Sequence, residues 1–301
     1  MTDNNGLELN AGSRSDTGLV RDENQDRMLR FSSPFGEVFL VSDGMGGYRG
    51  GARAAEMVGD GIFRHLNSLE RDTPVDVAMR TAAEKTNEEI LGLSRDTRGE
   101  TAGMGATLVM AILREGALLV GHAGDSRAYL CRNHELRQLT RDHTQGRDNV
   151  DAGLLTEVEV FDHLSSSVLT RAFGHSDPLE LEISPSLTVE SGDQILLCSD
   201  GLSGYVPNTA IAEVLARGLG PQQAADLLVQ AANDAGGADN VTVQIILAGS
   251  LKRIPVRRNR TTLLERLPVT AGSQTRGPET TGSESVSKAP VKRFWRRLFP
   301  S

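Results

Sequence analysis

The chain has 301 residues, 38% of them apolar and 24% charged, enough to bury one large domain or two ordinary ones. Its net charge of −8 is unevenly divided: residues 251–301 hold 12 Lys/Arg against 3 Asp/Glu, and the rest holds 20 against 37. A body that acidic repels nucleic-acid phosphates, which excludes nucleic acid as a partner, and suits a protein that concentrates divalent cations.

The start, Met1-Thr2-Asp3-Asn4-Asn5, is too polar for a signal peptide, and no run of about eighteen apolar residues occurs. The expected location is therefore the cytoplasm. Apolar alternation and β-branched content predict a first strand near 37–42. Ala54, Ala55, Val58, Ile62 and Leu66 then recur at spacings of three and four, which predicts a helix over 51–68. A second helix is expected over 75–92, with Thr73-Pro74 as its start signal. Strands follow near 105–113, 116–122, 126–132 and 193–199. Helices over 209–217 and 221–234, the latter opened by Pro221 at a first helical position, lead to a last strand at 241–247. Two successive helices between strands do not form a βαβ crossover, so the pattern favours an antiparallel α+β fold.

Cys131 and Cys198 both fall in strand-like runs and read as reduced, buried thiols. Residues 144–167 are polar and aperiodic, the length of a functional loop. Beyond Ala248 the composition shifts to Arg, Thr, Ser, Pro and Gly, so 251–290 reads as a linker. It ends in the basic and aromatic segment 291–299, which contains the only Trp.

Chemistry concentrates in four acidic clusters: Asn24-Gln25-Asp26, Asp43-Gly44-Met45-Gly46-Gly47, Cys198-Ser199-Asp200-Gly201 and Ala238-Asp239-Asn240-Val241. Three are expected to follow short apolar runs and the fourth to precede one. Hard cations want oxygen ligands and a backbone that approaches closely, which aspartates at strand ends beside Gly or Asn provide. Asp43 is expected in a sharp turn, with the Gly44 carbonyl exposed as a further ligand. Two ions a few Å apart can activate a bridging water and neutralise a phosphoryl group. Arg21, five residues before Asp26, can aim a planar guanidinium at phosphate. Asp125, in Gly124-Asp125-Ser126-Arg127, is a further carboxylate between two strands. Taken singly, each Asp-Gly also reads as a hairpin turn, and Asp125 with Arg127 as a structural turn and its salt bridge.

The series Arg21-x-x-Asn24-Gln25-Asp26, Asp43-Gly44-Met45-Gly46-Gly47, Gly105-Ala106-Thr107, Gly121-His122-Ala123-Gly124-Asp125-Ser126-Arg127, Leu139-Thr140-Arg141-Asp142-His143, Leu169-Thr170-Arg171-Ala172-Phe173-Gly174, Ser199-Asp200-Gly201-Leu202 and Asp239-Asn240-Val241-Thr242 occurs in this order. It resembles the bacterial metal-dependent type 2C protein phosphatases over residues 10–248. The resemblance implies two antiparallel β-sheets in a central sandwich flanked by helix pairs, with residues 1–250 as the catalytic domain. It implies hydrolysis of phosphoserine or phosphothreonine on proteins by a water activated at two Mn²⁺ or Mg²⁺ ions. The implied core ligands are Asp43, Asp200 and Asp239, with the Gly44 carbonyl on the second ion. By the same resemblance Asp26 holds metal-bound waters, Asp125 contributes to a third ion, Arg21 grips phosphate and 144–167 forms a flap. Phosphorylated proteins, including a cognate Ser/Thr kinase, are the implied partners, and the expected state is a monomer.

The chain departs from the family at three places. Met45 stands where some members carry a histidine proposed as general acid, so the leaving serine needs another proton source, for which a metal-bound water is the first candidate. Gln25 replaces a frequent Glu, and the flap pattern is blurred into Glu157-Val158…Asp162-His163-Leu164. His122 and His143 read as structural, and His163 as a flap residue able to touch substrate. Two other functions stay open: a silent pseudophosphatase, whose mark would be a lost core aspartate, and a phosphatase of a phosphorylated anti-sigma antagonist. The tail 251–301 reads as a solvated linker, as a weak membrane-surface anchor through 291–299, or as a partner-docking segment.

Overall fold

The structure, a computed structural model, describes residues 8–95, 101–156, 159 and 167–249. Strand β3 (Gly36–Ser42) shows how its layers arise. Side chains alternate across a strand, and here Val38 and Leu40 enter one buried cluster while Phe39 and Val41 enter another. Both faces are covered, so the strand reads as a continuous apolar run although its partners are antiparallel. β12 (Gln194–Cys198) repeats the pattern, with Ile195 and Leu197 on the inner face and Leu196 and Cys198 on the outer.

The first sheet has the order β1 (Leu9–Asp16), β13 (Val241–Ala248), β12, β8 (Arg127–Arg132) and β9 (Glu135–Gln138), every pair antiparallel. The second has the order β10 (Glu182–Ile183), β7 (Ala117–Ala123), β6 (Leu108–Arg114), β3 and β2 (Arg27–Ser33), with β11 (Leu187–Thr188) also on β7. Phe39, Val109, Val120, Ile195 and Ile246 fill the space between the sheets. Gln244 is buried there too and its Nε2 donates to the carbonyls of Leu29 and Leu40, on strands β2 and β3 of the facing sheet.

Helices α1 (Gly47–Ser68) and α2 (Val75–Ser94) cover the outside of the second sheet, where Val58, Ile62, Met79 and Ile90 pack on Val38, Leu40 and Met110. Helices α5 (Asn208–Ala216) and α6 (Pro221–Asp234) cover the first through Ile211, Leu215, Leu228 and Val229. The α+β sandwich flanked by helix pairs is as expected, and both cysteines are free and buried.

Three local expectations are corrected. The strand expected over 105–113 breaks at Thr107, between β5 (Gly105–Ala106) and β6, because Thr107 turns its polar groups to Asp43. The segment expected as loop from 144 carries a helix, α3 (Gln145–Asp151), whose first turn is capped by the Thr144 hydroxyl accepting from Arg147 N–H at 3.1 Å. Asp26 precedes its strand, β2, instead of closing an apolar run. His163, Glu157, Val158 and the tail 251–301 lie outside the described residues.

Candidate metal centre

Asp43 leaves β3 and enters a two-residue strand, β4 (Gly44–Met45), which pairs with β5. Its backbone N–H donates to Thr107 Oγ1 at 2.9 Å and its carbonyl accepts from Thr107 N–H at 2.8 Å. Thr107 Oγ1 also meets Ser126 Oγ at 2.7 Å. The expected turn at Gly44 is therefore extended backbone, and the left-handed residue is Gly46, at φ 117. Gly44 serves close approach, since a β-carbon there would collide with the backbone of Gly51.

Asp200 follows β12 and opens the one-turn helix α4 (Asp200–Ser203). A β-carbon on Gly201 would strike the carbonyl of Asn240, so the glycine lets the Asp200 and Asp239 segments touch. Asn240 organises the facing loop: its Oδ1 accepts from Gln25 N–H and its Nδ2 donates to the carbonyls of Thr17 and Glu23, each at 2.9 Å. Asp125 lies between β7 and β8, after Gly124 at φ 111. Arg127 pairs with Asp142 at 2.6 Å, not with Asp125, and is a structural link.

Asp43, the Gly44 backbone, Asp125, Asp200, Asp239 and Arg21 line one cleft of about 830 Å³. Arg21 Nη2 donates to Asp239 Oδ2 at 2.9 Å. Asp26 does not line the cleft. It is buried, and its Oδ2 accepts from Ser199 Oγ at 2.7 Å. Burial, reinforced by the charges of Asp200 and Asp239, pushes its carboxyl up to about 7. Asp43 is raised well above the usual range by burial and then by Asp26, Asp200, Asp125 and Asp239. Asp125 is raised by burial and then by Asp200 and Asp142. Carboxylates that destabilise one another's charged forms fit divalent cations, and so does Asp26 Oδ1, buried without a hydrogen-bond partner among the described residues.

A second cluster, His122, His143 and Glu182, has its ligand atoms within 4.8 Å of one another. The two imidazoles are stacked, 4.5 Å apart and 5° from parallel, so their in-plane lone pairs run side by side and do not converge on one ion. Three of their four nitrogens are engaged: His122 Nε2 donates to the Arg141 carbonyl, while His143 Nδ1 accepts from Gly124 N–H and its Nε2 meets Glu182. Both histidines are structural, as expected. Arg171 and His175 also line the cleft and were not anticipated as site residues. Nothing local in the sequence marks His175, whose place depends on long-range pairing of Phe173 with Ala106.

Residues 32–241 match the family model for Protein phosphatase 2C. The serine/threonine phosphatase stp of Listeria monocytogenes is 32% identical over 242 residues, 79% of this chain and 95% of that protein. The solved serine/threonine phosphatase of S. agalactiae is 28% identical, with a TM-score of 0.75 over 81% of this chain and 100% of its own. The catalytic domain of the phosphatase PstP, solved with two manganese ions, is 31% identical, with a TM-score of 0.70 over 81% of this chain and 100% of its own.

Proposed function

This chain belongs to the protein phosphatase 2C family and is a metal-dependent serine/threonine phosphatase, and we propose that it hydrolyses phosphoserine and phosphothreonine on proteins at a binuclear Mn²⁺ or Mg²⁺ centre. The observation that carries this reading is the convergence of Asp43, Asp125, Asp200 and Asp239 with Arg21 on one cleft. In this reading Asp43, Asp200 and Asp239 are the core ligands and the Gly44 carbonyl adds an oxygen. Asp125 belongs to a third, weaker site. Asp26, behind the lining, adds negative charge and orients water. Bound Mn²⁺ or Mg²⁺ supplies Lewis-acid charge neutralisation and a water acidic enough to attack at neutral pH.

The chain's own residues do the positioning. Thr107 and Ser126 fix the backbone at Asp43, and Asn240 fixes the 17–25 loop that carries Arg21. The Arg21 guanidinium offers the phosphate a planar fork. Its partner Asp239 is a ligand in this reading, so ion binding and phosphate binding share one charge network.

The substrates in this reading are proteins phosphorylated by a bacterial Ser/Thr kinase, the kinase included. The enzyme works as a cytoplasmic monomer, with residues 1–250 as the catalytic domain and 251–301 as an appended tail. Among the described residues no helix is long and apolar enough to cross a membrane. Turnover of a phosphothreonine peptide tests the reading: it should require Mn²⁺ or Mg²⁺ and stop with chelator. Chelator-insensitive turnover would overturn it.

A further inference from the structure

Cleavage of a phosphoserine or phosphothreonine ester expels an alkoxide, a poor leaving group unless it is protonated as it departs. Met45 cannot supply that proton. Across the β4–β5 ribbon Met45 is in register with Gly105, and Gly105 is covered by an imidazole, that of His175. A β-carbon on Gly105 would collide with the His175 ring, so the missing side chain makes the seat. His175 is the one histidine among the described residues that line the aspartate cleft.

The seat is built. His175 Nε2 donates to the Gly103 carbonyl at 3.1 Å, and a carbonyl can only accept, so Nε2 carries the proton in the neutral ring. Nδ1 is then the nitrogen that gains and loses a proton. The loop is pinned on both sides: Phe173 exchanges backbone hydrogen bonds with Ala106, at 2.9 and 3.2 Å. The buried Asn87 accepts from Gly174 N–H at 2.9 Å and donates to the Ser176 carbonyl at 2.8 Å. Ser176 Oγ accepts from Ala172 N–H at 3.1 Å. The imidazole is exposed, borders the cleft and sits on a loop that these bonds hold in place.

We propose that His175 is the general acid of this phosphatase, delivering the Nδ1 proton of its imidazolium to the departing serine or threonine oxygen. The inference rests on the reading of the cleft as the phosphatase site. A water oxygen bonds to phosphorus while the phosphorus–oxygen bond to the side chain breaks, its electron pair staying on the leaving oxygen. That oxygen takes the Nδ1 proton and leaves as the alcohol. The attacking water releases a proton to solvent, and imidazole regains one from solvent, so the products are the alcohol and inorganic phosphate.

The test compares two substrates in the Mn²⁺-loaded full chain. A phosphothreonine peptide expels an alkoxide that needs a proton, whereas p-nitrophenyl phosphate expels a stable phenolate that does not. His175→Gln keeps a donor for the Gly103 carbonyl and cannot act as an acid. It should lower kcat on the peptide by about 100-fold, and on the aryl ester by at least tenfold less. Equal loss on both substrates, or no loss on the peptide, overturns the proposal. Wild-type failure on both substrates would instead overturn the phosphatase reading. Imidazole ¹⁵N shifts give an independent check: the neutral ring should be the Nε2–H tautomer, and an Nδ1–H tautomer contradicts the proposal.

Discussion

Arg21 and Asp239 are 218 residues apart in sequence and 2.9 Å apart in space, joined by a hydrogen bond from Nη2 to Oδ2. The other Asp239 oxygen accepts from Asn240 N–H, also at 2.9 Å. The pair is partly exposed, so by itself it adds little to stability. Its significance is positional: in the proposed function, the cation that would grip phosphate is held by a carboxylate that would bind a metal ion.

Arg21→Ala should therefore raise KM for a phosphothreonine peptide by roughly 10-fold or more, the size of a lost charge-assisted hydrogen bond, with kcat little changed. A loss confined to kcat would place Arg21 on the transition state instead. An unaltered KM and kcat would make it a surface arginine.

Gly201→Ala puts a methyl group against the Asn240 carbonyl and should push the Asp200 and Asp239 segments apart. The expected outcome is a half-maximal Mn²⁺ concentration for activity raised by about tenfold or more, with a folded circular-dichroism spectrum. Wild-type Mn²⁺ dependence in a folded Gly201→Ala protein would show that the two segments need not touch.

His143 gives a pH dependence of definite sign. Burial holds its imidazole down to about 4, against about 6.5 when exposed, so the unfolded chain binds the proton first. The stability this neutral ring contributes is present above pH 6.5 and is lost as pH falls toward 4. The stability advantage of wild type over His143→Gln in urea melts should shrink by up to about 3 kcal/mol over that interval. An advantage independent of pH would mean that His143 titrates normally.

The basic tail offers a test of attachment. Lys292, Arg293, Arg296 and Arg297 flank Phe294, Trp295 and Phe299, and each basic residue near an anionic surface is worth about 1 kcal/mol. The full chain should co-sediment with anionic vesicles at low salt, and a 1–250 truncation should not. Equal, low pelleting of both would leave the tail as a linker or partner motif.

The acidic clusters were legible in sequence because three aspartates lie beside strands whose two faces are both covered, so the apolar runs point straight at them. The α1 pattern was legible for a similar reason, since Ala54, Ala55, Val58, Ile62 and Leu66 are all fully buried. Edge elements were not. β1, Leu-Asn-Ala-Gly-Ser-Arg-Ser-Asp, carries polar side chains and is recruited by backbone pairing with β13, with Gly12 lying against Pro221 and Gln222. β9 alternates exposed and half-buried residues, a signal too weak to separate it from a loop. Gly44 was legible as a necessary glycine but not for the right reason, because its constraint is the backbone of Gly51 in a later helix.

The central claim is that Asp43, Asp200 and Asp239 hold catalytic divalent ions together. Titration calorimetry of Mn²⁺ into chelator-treated wild type and Asp239→Asn, paired with phosphothreonine-peptide turnover of the same samples, tests it most directly. Removing a ligand with almost no change in volume should weaken or abolish the tight Mn²⁺ binding and remove most turnover, while the fold is retained. Unchanged Mn²⁺ binding and undiminished turnover in Asp239→Asn would contradict it.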